Sequence, residues 1–185
     1  MDLHASRPTR GAFPIARVGI EGIRKPLLVR RPDRVAALSA EFSVFVDLPA
    51  SRKGSDLSRN AELLAEAIDW PEARPVESFE GACADIASQL LLRHPYATRS
   101  EVRATAEYFL PRGVAPGRSS LENFTLHAEA RAERQGDAVH TRRAIGATVL
   151  GMTACPCAME TARERLAERH PQLKDPDLAD LPIVT

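Results

Sequence analysis

Hydrophobic and polar positions along this chain change period several times, and each change marks an element. From Ile15 to Arg31 the chain reads as extended, with Gly19 and Gly22 suited to turns or bulges and Leu27-Leu28-Val29 at its end. Glu41 to Leu48 alternates: Phe42, Val44 and Val46 point one way, Ser43, Phe45 and Asp47 the other, and Pro49 ends the strand. The period then becomes helical. Leu57, Ala61, Leu64, Ala65 and Ile68 form a stripe within Leu57–Trp70, with Asp56 or Ser58 as N-cap. After a loop at Pro71–Pro75, a second stripe of Val76, Phe79, Cys83, Ile86, Ala87 and Leu90 predicts a helix over Val76–Arg93. It should stop near His94, because a residue before Pro95 is pushed out of the α region.

Three strand-like stretches follow. Glu101–Leu110 should end at Pro111, a Pro/Gly loop should fill Pro111–Ser119, and Leu121–Arg134 should form a hairpin with Val139–Met152 across Gln135-Gly136-Asp137. A last helix is expected from the Cys155-Pro156-Cys157 turn to about Arg169. Strand, strand, helix, helix, strand, strand, strand, helix lacks regular βαβ alternation and predicts an α+β fold with a mainly antiparallel sheet. Residues 1–14 read as an N-terminal arm, 15–169 as one domain and 170–185 as an extended tail.

Composition narrows the function classes. The 25 Lys+Arg balance 25 Asp+Glu, so no net cationic field draws the chain to nucleic acid or an anionic membrane. The longest uncharged stretch, 144–159, holds Gly, Thr, Pro and two Cys and falls short of the ~20 apolar residues of a membrane span. Three cysteines are too few for a disulfide framework, which fits a reducing cytoplasm.

Two short segments carry candidate chemistry. In Thr153-Ala154-Cys155-Pro156-Cys157-Ala158, Pro156 suits the first helical position, so Cys155 falls at the N-cap, where the helix dipole favours thiolate. A thiolate there suits a Zn²⁺ or Fe²⁺ ligand or a reactive group; the alternative is two small buried residues at a tight turn, with Cys157 facing packing. Cys83, on a helical stripe, reads as core. In Arg52-Lys53-Gly54-Ser55-Asp56-Leu57-Ser58-Arg59, cations crowd the positive end of a helix, which an anionic ligand such as phosphate would relieve. The alternative is an ordinary capped helix start whose cations are solvated or meet Asp47 and Glu62. His127 and His140 fall on one polar strand face, about two pairs apart, and read as solvated; His4, His94 and His170 sit at termini or a helix end.

Several separated segments together resemble the type IB GTP cyclohydrolases. They are Arg17-Val18-Gly19-Ile20-Glu21-Gly22-Ile23-Arg24-Lys25-Pro26, Glu41 to Pro49, and Lys53-Gly54 with Ser58-Arg59. Pro95-Tyr96-Ala97-Thr98-Arg99 and Gly151 to Ala158 are similar to the archaeal type rather than the bacterial folate-pathway form. The resemblance implies a tunnelling fold (T-fold), with paired helices on one side of antiparallel sheets that close into a barrel across subunits of a homo-oligomer, a dimer or tetramer. It implies metal-dependent opening of the guanine imidazole ring of GTP with formate release, on the way to methanopterin- or folate-type pterins. Fe²⁺, or Zn²⁺ or Mn²⁺, is the implied metal, and Cys155 matches the family's ligand and catalytic cysteine; the unbalanced positive charge at the helix start places Lys53 and Arg59 at the phosphates or another part of the nucleotide. Many relatives have His where this chain has Asp56, and the family continues beyond a segment like Pro182-Ile183-Val184-Thr185 with further ligands and the Glu that anchors guanine. The chain is thus expected to correspond to an N-terminal half. Two rivals stand beside the enzyme: a truncated, non-catalytic T-fold protein binding a purine or pterin, and an α+β oligomer with a structural Cys pair.

Overall fold

The computed structural model describes residues 13–68, 74–115, 118–151, 153 and 155–171. The expected arm at 1–14, the loop at 71–75 and the tail at 170–185 fall wholly or largely outside them. The chain divides into two compact units, Met1–Val149 and Leu150–Thr185.

The elements appear in the predicted order: β1 (Ile15–Arg30), β2 (Val35–Leu48), α1 (Leu57–Ile68), α2 (Phe79–Arg93), β3 (Arg99–Ala115), β4 (Arg118–Gln135), β5 (Ala138–Val149) and α3 (Pro156–Arg169). The fold is α+β, and the five strands pair antiparallel in the order β1-β2-β3-β4-β5. Register puts Ile23, Phe42, Ala104, Ala128 and Ile145 in one cross-strand row, and Val44, Val102 and Ala130 in the next. Alternation places these residues on one face, and the small side chains of β3 and β4 let α2 lie close against them. Phe79 of α2 meets Phe42 edge-on at 6.5 Å, and Ser100 Oγ donates to the Ala87 carbonyl at 2.6 Å. Both tie helix to sheet.

Near its middle, β1 requires glycine twice. A Cβ on Gly19 would lie 1.8 Å from the Val44 carbonyl oxygen, and Gly22, at φ +75°, sits within the register shift between Ile20 and Ile23.

Four expectations need correction. β2 begins at Val35 rather than Glu41, because Val35-Ala36-Ala37-Leu38 is apolar on both faces and its alternation is hidden in the sequence. Val76 is not helical: it bridges Val29 in parallel, while Ser78 accepts from the Gly81 N–H as the N-cap of α2. On α1 the buried residues are Asn60, Leu63 and Leu64, whereas Leu57 and Ala61 are exposed, so the stripe is rotated from the predicted one. Finally, β3 runs through Pro111, which pairs with Leu121, and the expected loop is mostly strand. The pairing of β2 with β3 ends at Ala106, so Pro111 lies where β3 is an edge and its missing N–H costs no ladder bond on that side.

Candidate functional site

The crowded helix start is a built corner. Its floor is His94, fully buried as the C-cap of α2 in front of Pro95. Its Nε2 lies 2.7 Å from Asn60 Oδ1, and its Nδ1 lies 2.9 Å from the Tyr96 hydroxyl. Tyr96 in turn shares a 2.8 Å hydrogen bond with Ser55 Oγ, in the turn that opens α1. An unbroken chain therefore runs Ser55–Tyr96–His94–Asn60. Arg52 stacks 4.2 Å above the Tyr96 ring, a cation–π contact that fixes the ring from the turn side.

Asp47 holds the other side of this corner. Its Oδ1 accepts from the backbone N–H groups of Thr98 and Arg99, both at 2.8 Å, and its Oδ2 accepts from the Thr98 hydroxyl at 2.6 Å. Three hydrogen bonds to one carboxylate fix the segment that carries Tyr96.

Two of the helix-start cations gather on Asp56, whose Oδ2 lies 3.2 Å from Arg59 and 3.8 Å from Arg52. Arg59 also donates to the Arg93 carbonyl at 3.0 Å, at the negative end of α2. Lys53 is exposed beside them. Burial pushes the His94 ring below the ordinary histidine range, helped by Arg59, Arg52 and Arg93 and opposed by Asp56. His94 is neutral at pH 7.

On the sheet face away from the helices lies a cleft of about 310 Å³. Glu101 gathers Arg103 at 2.6 Å, Arg17 at 3.3 Å and Arg131 at 3.9 Å on its walls, and Arg17 also lies 4.1 Å over Phe45. Asp47 and Arg99 line it too, so the cleft and the Tyr96 segment share a wall. Neither was anticipated from the sequence.

The second unit holds the cysteine turn. Cys155 is the N-cap of α3 with Pro156 in the first turn, as expected. The backbone N–H groups of Ala158 and then Cys157 draw its thiol below the ordinary range, with a further contribution from the Cys157 side chain. Cys157 does not face packing: it is exposed, and α3 has no buried residue. Cys83 is fully buried, and burial pushes its thiol up to about 12, as befits core.

The histidine pair resolves as a solvated face. His127 hydrogen-bonds Thr148 at 2.8 Å, and His140 pairs with Glu133, three same-face pairs from His127 rather than two.

A family model described as "GCHY-1: Type I GTP cyclohydrolase folE2" matches residues 1–175. The chain belongs to this family. GTP cyclohydrolase MptA of Methanosarcina barkeri is 43% identical over 177 residues, covering 93% of this chain and 55% of that protein. The protein of the same name from Methanococcoides burtonii is 42% identical over 166 residues (88% and 52%), and that of Halobacterium salinarum 39% over 172 (90% and 54%). The chain spans about half the length of the curated relatives it matches. A crystal structure described as a highly active BTUO mutant overlays with a TM-score of 0.48 at 11% identity, over 77% of this chain and 62% of that one.

Two of the segments that carry the resemblance, around Lys53-Gly54 and Tyr96, meet at the Ser55–His94 corner. His94 and Asn60 were missed in the sequence, although a signal existed. Cys83, Ala87, Leu90 and His94 recur at helical spacing, as do Asn60, Leu63 and Leu64. A polar residue on an apolar stripe is buried with a partner. As to the implied metal, an exposed, thiolate-leaning Cys155 fits as one ligand. No group of three or more His, Cys, Asp or Glu able to hold a metal occurs among the described residues.

Proposed function

We propose that this chain supplies the nucleotide-holding half of a GTP cyclohydrolase of T-fold architecture, with GTP as substrate. The reaction opens the guanine imidazole ring with formate release and gives a dihydroneopterin phosphate, in the archaeal form the 2',3'-cyclic phosphate. The family match over residues 1–175 carries this reading. Lys53 and Arg59 donate to the phosphates at the start of α1, where helix N–H groups and a positive helix end favour an anion. Arg59 also couples the phosphate site to α2, through its bond to the Arg93 carbonyl. Cys155 offers its thiolate as the metal ligand and is the catalytic residue of this chain, the remaining donors lying outside the described residues. When bound, Fe²⁺, Zn²⁺ or Mn²⁺ supplies Lewis acidity and lowers the pKa of water.

The protein works as a cytoplasmic homo-oligomer. Among the described residues β5 and, apart from its bridge to Val76, β1 are the edges of the sheet, and Leu121, Ile145 and Val149 are more than half exposed near the β5 side. Such edges invite pairing with another chain. No helix among the described residues is long and apolar enough to cross a membrane.

The test is a chimera in which this chain replaces the matched half of the Methanosarcina barkeri relative. Formate release from GTP in the presence of Fe²⁺ is expected, and its loss in Cys155→Ala with the fold retained. A folded, metal-loaded chimera that binds GTP and releases no formate overturns the enzyme and leaves the purine- or pterin-binding protein.

A further inference from the structure

We propose that Cys155 and Cys157 are a redox pair: they close into a reversible disulfide by exchange with a low-molecular-weight disulfide, and so withdraw the Cys155 sulfur from metal. The withdrawal rests on the ligand role given to Cys155 above; the disulfide itself does not.

Position decides the partner. The chain has three cysteines, and Cys83, on the packed face of α2, is fully buried. A reagent that meets the folded chain therefore finds Cys155 and Cys157, both exposed. Cys155 is the N-cap of α3, with extended backbone at φ −91° and ψ 113°, and Pro156 opens the helix, so Cys157 stands in its first turn. An N-cap side chain turns back over the N–H groups of that turn. The Cys155 sulfur accordingly faces the N–H groups of Ala158 and Cys157 and the Cys157 side chain itself. Two residues apart across the helix start, the Cα atoms are held at about 5.5–7 Å, against the roughly 4.4–6.8 Å that a disulfide spans. No residue of α3 is buried, so the bond closes without disturbing a packed core there.

Such a bond is a switch rather than a staple. It closes over the single residue Pro156, a loop too short to restrain much of the unfolded chain. The proline also limits how far so small a ring can relax, and strained, exposed disulfides are the readily reduced ones.

Exchange takes two steps. The Cys155 sulfur attacks the reagent RSSR, forms Cys155–S–S–R and expels one RS⁻, which takes the proton that the thiol gave up. The Cys157 sulfur then attacks the Cys155 sulfur, forms the protein disulfide and expels the second RS⁻, which takes the Cys157 proton. Two protein thiols and RSSR become one protein disulfide and two RSH, with two electrons passing from protein to reagent. Neither sulfur of the oxidised pair is a thiolate, and a thiolate is what the metal takes. Metal and disulfide therefore exclude each other, and each opposes the other by linkage.

The experiment uses the full chain, reduced, with oxidised glutathione as the reagent. After unfolding and alkylation, intact mass should show two thiols lost, no glutathione retained and Cys83 as the alkylated cysteine. Dithiothreitol should restore all three thiols. Cys157→Ser should stop at the first step and carry one glutathione on Cys155. Zn²⁺ at about ten times its dissociation constant should slow closure of the wild type roughly tenfold. A wild type that retains glutathione on both cysteines, links two chains together or bonds through Cys83 overturns the pair. If the disulfide closes equally fast with and without Zn²⁺, Cys155 is not a metal ligand; the withdrawal falls with that reading, and the pair stands.

Discussion

The two helix ends that carry chemistry here are built in opposite ways. At the start of α3, Cys155 is an exposed thiol whose help among the described residues is local: backbone N–H groups within the first turn and a neighbouring Cys157. At the corner of α1 and α2, His94 is fully buried, and its partners come from 2 to 34 residues away. The first is made by one helix and stays legible in six residues of sequence. The second exists only when two helices and a turn have packed. An exposed site can change its side chain at little cost in stability, whereas a buried polar chain cannot.

Mutation should expose that contrast most strongly in stability. His94→Ala leaves a cavity and takes a hydrogen-bond partner from Asn60 and from Tyr96, and should destabilise the protein by about 3 kcal/mol in urea unfolding. Cys155→Ala should change it by less than about 0.5 kcal/mol, since that thiol is exposed. Comparable losses in the two variants would erase the distinction.

Asn60→Ala sharpens the same point within the buried chain. It removes the hydrogen-bond partner of His94 Nε2 and should cost about 2 kcal/mol in thermal or urea unfolding. No measurable loss would mean that His94 does not depend on it.

Acid should separate the regions next. The folded-state pKa of His94 is depressed, so below about 6.5, its ordinary value, the unfolded chain binds a proton that the folded chain does not. Its contribution to stability is therefore complete above pH 6.5 and is lost as pH falls toward the folded value. In ligand-free protein, unfolding midpoints compared at pH 7.5 and 5.5 should fall more steeply for the wild type than for His94→Gln. Parallel curves would show that the ring titrates normally.

The smallest effect is within the cysteine turn. At pH 7 Cys155 should be alkylated several-fold faster than Cys157, because the N–H groups of the first turn favour its thiolate. Cys157→Ala should cost less than about 0.5 kcal/mol, the thiol being exposed rather than packed. Equal alkylation rates would remove the asymmetry on which the choice of Cys155 as ligand rests.

Legibility followed the range of the interactions involved. Pro95 stopping α2, Pro156 opening α3 and the hairpin turn at Gln135-Gly136-Asp137 were all visible, since each depends on the backbone of a few adjacent residues. The strand through Pro111 was not, because a proline in a strand is tolerated or not according to whether a neighbour lies alongside. The rotated face of α1 failed for a similar reason. Leu57 and Ala61 suit a buried stripe as well as Leu63 does, until the position of α2 decides which side is covered.

By itself the sequence determined the order and type of the elements, the family through its spaced segments, and the N-cap position of Cys155. Periods of 2 and 3.6, proline stops and caps are local properties, and they survive without a partner. Only the tertiary structure decided that Asp56 takes both Arg52 and Arg59, that Asp47 fixes the Tyr96 segment, and that His94 is a buried ring at the base of the turn before α1. Ser55 and Tyr96 are 41 residues apart, as Asn60 and His94 are 34 apart, and no local rule pairs them. Burial of the apolar faces of α1 and α2 brings them together, and once water is excluded each polar group must take the partner that packing has placed beside it.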